Sequence, residues 1–122
     1  MPRILVVDDE KDIRDILERF FTKKKYEVLT SESGEEAISL LEKEKIDAVL
    51  LDIRMPGMNG LDALRSMLKL RPDMPVIMVT GETDEEIAKS SLREGAFDYV
   101  MKPLNFDYLE RTLHLKLAQK LL

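Results

Sequence analysis

The chain has 122 residues, a length that suits one domain with its own hydrophobic core. It has no cysteine and only one histidine, His114, so disulfides, thiolate metal sites and a histidine-built zinc site are excluded. The net charge of −5 comes from intermixed charges of both signs, without the basic stripe that nucleic-acid binding requires. No secretory signal and no apolar run of the ~18 residues that span a membrane are present. We therefore expect a cytoplasmic protein that binds neither nucleic acid nor membrane.

Five short strand-like runs alternate with five helical patterns, an order typical of a parallel sheet covered by helices on both faces. The first helical pattern has Ile13, Ile16, Leu17 and Phe20 at positions i, i+3, i+4 and i+7. This spacing predicts one buried stripe along the first helix. No linker, repeat or low-complexity tract interrupts the alternation, so we expect a single domain over residues 1–122.

Later helices carry recognisable start signals. Ser33 and Glu36 have the spacing of a capping box, and Thr83 and Glu86 repeat it, so each pair predicts the first turn of a helix. Gly60 opens another helix after a Pro-Gly turn. The apolar positions of these patterns are Ala37, Leu40 and Leu41 in the second helix, Leu61, Leu64 and Leu68 in the third, and Ile87 and Leu92 in the fourth.

The last helical pattern has more apolar residues than one stripe needs. Leu109, Leu113 and Leu117 form the stripe, and further apolar residues lie outside it. A frayed terminus with exposed leucines fits this pattern, as does a helix that continues into another domain or pairs with a second copy. The residues outside the stripe are Leu115, Ala118, Leu121 and Leu122.

Four strand-like runs end on residues that can bind a metal or a phosphate. The first ends at Asp8 and Asp9 and the third at Asp52, whereas the fourth ends at Thr80 and the fifth at Lys102. In a parallel α/β sheet the ligand crevice lies outside the carboxyl ends of the strands, so these residues are expected to converge. Turn and cap chemistry explains each residue alone but not the joint pattern, since turns favour Gly, Asn and Ser as readily. The runs are residues 4–7, 48–51, 76–79 and 97–101.

The converging side chains suit phosphoryl transfer. Three close carboxylates repel one another unless a cation lies among them, and oxygen ligands suit Mg²⁺ or Mn²⁺. Asp9 and Asp52 are the predicted ligands, and Asp52 is also the predicted phosphoacceptor, because aspartate can form an aspartyl phosphate. Lys102 and the Thr80 hydroxyl are expected to stabilise the phosphoryl oxygens.

Longer segments around these residues resemble the receiver domain of bacterial two-component response regulators, of the CheY-like type. The segments are residues 6–10 (VVDDE), 51–60 (LDIRMPGMNG), 79–81 (VTG) and 95–103 (GAFDYVMKP). The resemblance covers the whole chain and implies a flavodoxin-like α/β fold, a doubly wound five-stranded parallel sheet in the order 2-1-3-4-5 with five helices. It leaves open whether the chain is a free-standing receiver or the N-terminal domain of a longer regulator.

The resemblance also implies how the site works. A sensor histidine kinase or histidine phosphotransfer protein would present a phosphohistidine, and the domain would catalyse transfer to Asp52 with Mg²⁺ bound. Asp9 resembles the direct metal ligand, Asp8 the acid that holds the ion through water, and the backbone carbonyl of Arg54 a further ligand. Arg54 and Glu82 occupy positions that vary in the family and are expected to tune the lifetime of the phosphoryl group.

In the family, phosphorylation changes a distant surface. Thr80 corresponds to the switch hydroxyl, Tyr99 to the aromatic side chain that turns inward behind it, and Lys102 to the phosphate-pairing cation, followed by a cis bond to Pro103. The output surface would comprise the fourth helix, fifth strand and fifth helix, roughly residues 83–122. It would bind an output domain, a partner protein or, after phosphorylation, a second copy.

Other functions share part of this pattern. A haloacid-dehalogenase-type phosphatase also uses an aspartate, a threonine, a lysine and Mg²⁺, but it needs an acid two residues after the nucleophile, where this chain has Arg54. A flavodoxin needs a phosphate-binding loop after the first strand, and the acids at residues 8–10 would repel a phosphate there. A phosphorylation-independent interaction module remains as the third reading.

Overall fold

The computed structural model describes residues 1–81 and 84–119. Sequence predictions that involve Glu82, Thr83, Leu121 and Leu122 fall outside these residues. Within them, five strands alternate with five helices, and each predicted strand end lies within one residue of its observed position. The elements are β1 (Arg3–Val7), α1 (Lys11–Lys23), β2 (Glu27–Ser31), α2 (Gly34–Lys43), β3 (Ala48–Asp52), α3 (Gly60–Leu70), β4 (Val76–Thr80), α4 (Glu85–Arg93), β5 (Asp98–Met101) and α5 (Phe106–Gln119).

The five strands form one parallel sheet in the order β2-β1-β3-β4-β5, which confirms the predicted topology. The order reverses at β1, whose last residue, Val7, lies between Ser31 of β2 and Leu51 of β3. Ligand crevices of doubly wound sheets open at such a switch point, beyond the carboxyl ends of the strands. Asp8 and Asp52 lie at this place.

Helices cover both faces of the sheet and create two apolar cores. On one face, alternate residues of β1, β3 and β4 pack against α2, α3 and α4, and on the other they pack against α1 and α5. The three central strands are therefore buried on both sides, as is usual for parallel sheets. None of the described helices has the length and apolar character needed to span a membrane.

The buried stripe of α1 differs from the predicted one by one residue. Leu17 and Phe21 are buried, and Ile13 and Phe20 are packed against the same core, whereas Ile16 is 44% exposed. The prediction for Ile16 was wrong because the buried stripe runs through Leu17 and Phe21, which are four residues apart. Ile16 lies on the solvent side of this stripe. Four apolar residues at helical spacing did not indicate which side of the stripe is its edge.

The two last helices differ in how firmly they are packed. In α5, Leu109 and Leu113 are buried and Leu117 is partly buried, which confirms the predicted stripe, and Leu115 is 59% exposed. In α4 the buried residues are small, Ala88 and Ser91. Its larger apolar residues are about two-fifths exposed, so little apolar surface holds α4 against the sheet. These residues are Ile87 and Leu92.

The start of α2 confirms half of the predicted capping box. The Ser33 hydroxyl accepts a hydrogen bond from the Glu36 backbone N–H at 3.2 Å. In a complete capping box the Glu36 side chain would accept a hydrogen bond from the Ser33 N–H. Here the Ser31 hydroxyl accepts that bond instead, at 3.4 Å.

We expect Ser33→Ala to lower the free energy of unfolding by about 1 kcal/mol, because the first turn of α2 loses its side-chain acceptor. Urea unfolding measures this change. Ser39→Ala, at an exposed position inside α2, is the matched control and is expected to be neutral or slightly stabilising, since alanine favours the helix. Equal destabilisation by both substitutions would contradict the assigned cap.

Candidate functional site

The strand ends bring the predicted site residues to one edge of the sheet. Asp52 and Thr80 are the last residues of β3 and β4, and Asp8 directly follows β1. Lys102 follows β5, and its backbone N–H donates to the Thr80 carbonyl at 2.8 Å, which fixes the two residues side by side. The Lys102–Pro103 peptide bond is cis, as the family resemblance implies.

Acidic side chains dominate this edge, and they differ in exposure. Asp8 and Asp52 are buried, with 2% and 5% of their surface exposed, whereas Asp9 and Glu10 are exposed. Carboxylate oxygens of Asp8, Asp9 and Glu10 lie within 4.8 Å of one another. Glu10 was not predicted as a site residue, although it stands beside the two aspartates in the sequence. Its carboxylate lies 3.6 Å from the Lys102 ammonium group.

Burial makes the two inner carboxylates reluctant to ionise. The pKa of Asp52 is raised to about 7, mainly by burial and also by the negative charge of Asp8, against the lowering effect of Lys102. Burial also raises the pKa of Asp8, opposed mainly by a 2.9 Å hydrogen bond from the Glu10 N–H. The cluster of Asp8, Asp9 and Glu10 offers only oxygen ligands, which suit a hard divalent cation, and Asp52 is close enough for the charge of Asp8 to raise its pKa.

This electrostatic conflict predicts a pH-dependent stability in the presence of a chelator. Because the folded state raises the pKa of Asp52 from 3.8 to about 7, its contribution to stability is complete at pH values below 3.8 and is lost as the pH rises through 7. Asp52→Asn removes this loss, so the free energy of unfolding of the variant should exceed that of the wild type by up to about 4 kcal/mol at pH 8, at about 1.4 kcal/mol per pKa unit, and match it more closely at pH 4. Urea unfolding at both pH values measures the difference. Parallel pH profiles would contradict the assigned shift.

The two predicted switch residues lie on the neighbouring strands β4 and β5. Thr80 is completely buried at the site edge, and its hydroxyl donates to the carbonyl of Gly81 at 3.1 Å. Tyr99 is partly buried and packs against the core formed with α2, α3 and α4. It pairs with Met78, two residues before the ends of the two strands, so it lies further from the edge than Thr80.

Arg54 connects the site to α4. Its backbone N–H donates to Asp52 Oδ1 at 3.4 Å, and its guanidinium group forms an ion pair with Asp84 at 2.6 Å. Asp84 is buried and was not predicted as part of the site, because nothing in the sequence relates two residues 30 positions apart. Beside Arg54 an open cavity of about 640 Å³ extends from Asp9 to Ile87.

The fold and this edge define a flavodoxin-like α/β protein with an acidic site at its topological switch point. Residues 4–114 match the family described as "Response regulator receiver domain". Among curated proteins, the response regulator SaeR of Staphylococcus aureus strain USA300 is 45% identical over 105 residues, which is 86% of this chain and 46% of SaeR. The chain therefore spans about half the length of this relative.

Solved structures agree with this relationship. A response regulator receiver domain protein from Clostridium thermocellum superposes with a TM-score of 0.93 at 34% identity, covering 98% of this chain and 97% of the other. A CheY-like receiver domain protein from Methanospirillum hungatei JF-1 gives 0.92 at 37% identity, covering 98% and 95%. This chain belongs to the response regulator receiver domain family, the receivers of two-component signalling systems. Domains of this family interact with histidine kinases and with output domains.

Proposed function

We propose that Asp52 is the phosphoacceptor of this receiver domain and that a phosphohistidine on a sensor histidine kinase or a phosphotransfer protein is the donor. The observation that carries the proposal is the burial of the Asp52 carboxylate at the end of β3, between the charges of Asp8 and Lys102. The open cavity lined by Asp9, Ile53 and Arg54 supports it, because it leaves room for a donor next to the loop that follows Asp52.

We propose Mg²⁺ as the cofactor, with Mn²⁺ able to replace it. The residues that would hold it are Asp8, Asp9 and Asp52 together with the backbone carbonyl of Arg54. When bound, the cation supplies charge neutralisation to the carboxylates and to the oxygens of the transferred phosphoryl group. The raised pKa values of the buried Asp8 and Asp52 support this assignment, because a bound cation would stabilise the ionised form of each carboxylate.

In the transfer, a carboxylate oxygen of Asp52 forms a bond to phosphorus while the bond from phosphorus to the donor nitrogen breaks, and the imidazole keeps the electron pair. Lys102 would leave Glu10 and pair with a phosphoryl oxygen, and the Thr80 hydroxyl would donate to another after giving up the Gly81 carbonyl. The domain thus catalyses its own phosphorylation, and hydrolysis of the acyl phosphate resets it. It catalyses only its own phosphorylation and dephosphorylation.

The proposed output surface is formed by α4, β5 and α5. Phosphorylation would draw the Thr80 hydroxyl toward the site and let Tyr99 turn inward, which shifts the population toward a second surface conformation. Exposed apolar side chains on this side of the molecule support a docking role for an output domain, a partner protein or a second copy. They are Ile87, Leu92, Phe97, Tyr108 and Leu115.

The proposal treats the chain as one receiver domain that acts in the cytoplasm, where phosphoryl donors derived from ATP are available. The tuning role predicted for Arg54 is part of it, because Arg54 lines the open cavity next to Asp9 and is two residues from Asp52. The competing candidate is an interaction module that is never phosphorylated. It gives no role to the buried Asp52 carboxylate or to the nearby Lys102 ammonium group.

Incubation with acetyl phosphate and Mg²⁺ tests the proposed function. We expect the intact mass to increase by one phosphoryl group, and we expect a chelator to prevent the increase, because the carboxylates then repel the incoming phosphoryl group. A Mn²⁺ sample should behave like the Mg²⁺ sample. An unchanged mass with Mg²⁺ and Mn²⁺, together with no binding of beryllofluoride, would favour the phosphorylation-independent module.

A further inference from the structure

Asp84 lies at the N-cap position of α4, yet its side chain makes no capping hydrogen bond to the helix. The carboxylate is 4% exposed, and its Oδ1 atom lies 2.6 Å from both Nε and Nη2 of Arg54. A buried carboxylate without a counter-ion is strongly unfavourable. Arg54 is the partner that the described residues supply, so the start of α4 depends on an arginine from the loop after β3.

That arginine is placed next to the proposed phosphoacceptor. Arg54 is two residues from Asp52, and its backbone N–H already contacts the Asp52 carboxylate. Its side chain is 70% exposed, so the ion pair with Asp84 rather than packing holds it in place. A phosphoryl group on Asp52 would add close to two negative charges and three acceptor oxygens two residues from this arginine, and guanidinium groups bind phosphate oxygens strongly.

The helix that Arg54 helps to hold has few other attachments. The buried residues of α4 are Ala88 and Ser91, which contribute little apolar surface. At the opposite end of the helix, Arg65 of α3 forms an ion pair with Glu94. Elements with little buried apolar surface open at low free-energy cost, so loss of one ion pair has a measurable effect on α4.

We propose that a phosphoryl group on Asp52 competes with Asp84 for the guanidinium group of Arg54, so that phosphorylation removes the counter-ion of Asp84 and loosens the first turn of α4. The carboxylate left behind is buried and unpaired, which favours conformations in which it reaches water. This inference rests on the proposed function and adds to it a coupling through Arg54 and Asp84 that is separate from Thr80 and Tyr99.

Hydrogen exchange of the amides of residues 89–91, which donate to the carbonyls of the first turn of α4, tests the competition. Wild type, Arg54→Gln and Asp84→Asn are each measured with and without acetyl phosphate and Mg²⁺, and the phosphoryl adduct is quantified by intact mass in the same samples. In the wild type, phosphorylation should speed exchange about tenfold. Arg54→Gln should exchange about tenfold faster before phosphorylation, whereas Asp84→Asn should stay slow because a neutral amide needs no counter-ion. Neither variant should respond strongly to phosphorylation.

Arg65→Gln is the matched control, because it removes the arginine that pairs with Glu94 at the other end of α4 and should leave the response of the amides of residues 89–91 intact. If Arg54→Gln and Asp84→Asn both form the adduct and respond like the wild type, the competition is overturned and the proposed function stands. If the wild type forms no adduct, the proposed function fails and the competition fails with it.

Discussion

Asp52→Asn is expected to abolish the incorporation of a phosphoryl group from acetyl phosphate, with a loss of at least about a hundredfold in rate. The amide of asparagine is not a nucleophile toward phosphorus, and it also removes one of the proposed metal ligands. Because asparagine has nearly the same shape and relieves the electrostatic conflict with Asp8, the fold itself should be retained and stabilised at neutral pH. Intact mass against time measures the loss.

Asp62→Asn is the control for this experiment. Asp62 is an exposed residue of α3 that pairs with Arg65, so its substitution changes the net charge equally without touching the buried carboxylates. It should be phosphorylated within about twofold of the wild-type rate, since exposed ion pairs contribute little. Phosphoryl incorporation into folded Asp52→Asn at the wild-type rate would contradict the assignment of Asp52.

Gly60→Ala is expected to destabilise the protein by about 3 kcal/mol, because the added methyl group has no space. An added Cβ atom would lie 2.6 Å from Ile53 Cα and 2.7 Å from the Asp52 carbonyl oxygen, and backbone atoms cannot move aside as a flexible side chain can. The Gly60 N–H also donates to the Ile53 carbonyl at 2.8 Å, so α3 begins in direct contact with the loop that holds the phosphoacceptor. Phosphorylation should therefore slow together with the loss of stability.

Gly81→Ala is the matched control for the glycine prediction. Gly81 is also next to the site, but among the residues that the structure describes an added Cβ atom would come no closer than 3.8 Å, to Asp84, which is ordinary van der Waals contact. Its substitution should change the free energy of unfolding by less than about 1 kcal/mol in urea unfolding. A stable Gly60→Ala variant, or equal losses for both, would show that the contact between α3 and residues 52–53 is not tight.

Much of this architecture could be predicted because it depends on local patterns. Short apolar runs identify the strands, their alternation with helices determines a parallel sheet, and a parallel sheet gathers its strand ends at one edge. Asp8, Asp52 and Lys102 were therefore predicted together without knowledge of any distance. The predicted burial of Ile16 was wrong because periodicity shows where an apolar stripe runs along a helix but not where its edges lie.

What escaped prediction depends on tertiary contacts. Asp84 has the sequence appearance of an ordinary N-cap residue, and only the folded chain shows that its carboxylate turns away from α4 toward Arg54. Glu10 is similarly one acid among several until its 3.6 Å approach to the Lys102 ammonium group is seen. Ion pairs between distant segments leave no periodic signal, because they require only two residues of opposite charge.

The central claim is that Asp52 carries the phosphoryl group, and chemical mapping tests it most directly. Borohydride reduces an acyl phosphate to an alcohol, so phosphorylated aspartate becomes homoserine, which peptide mass spectrometry locates. We expect homoserine at position 52 in samples treated with acetyl phosphate and Mg²⁺, and none in samples treated with a chelator. Homoserine at Asp8 or Asp9, or a phosphoryl group that resists reduction and maps to Thr80, would contradict it.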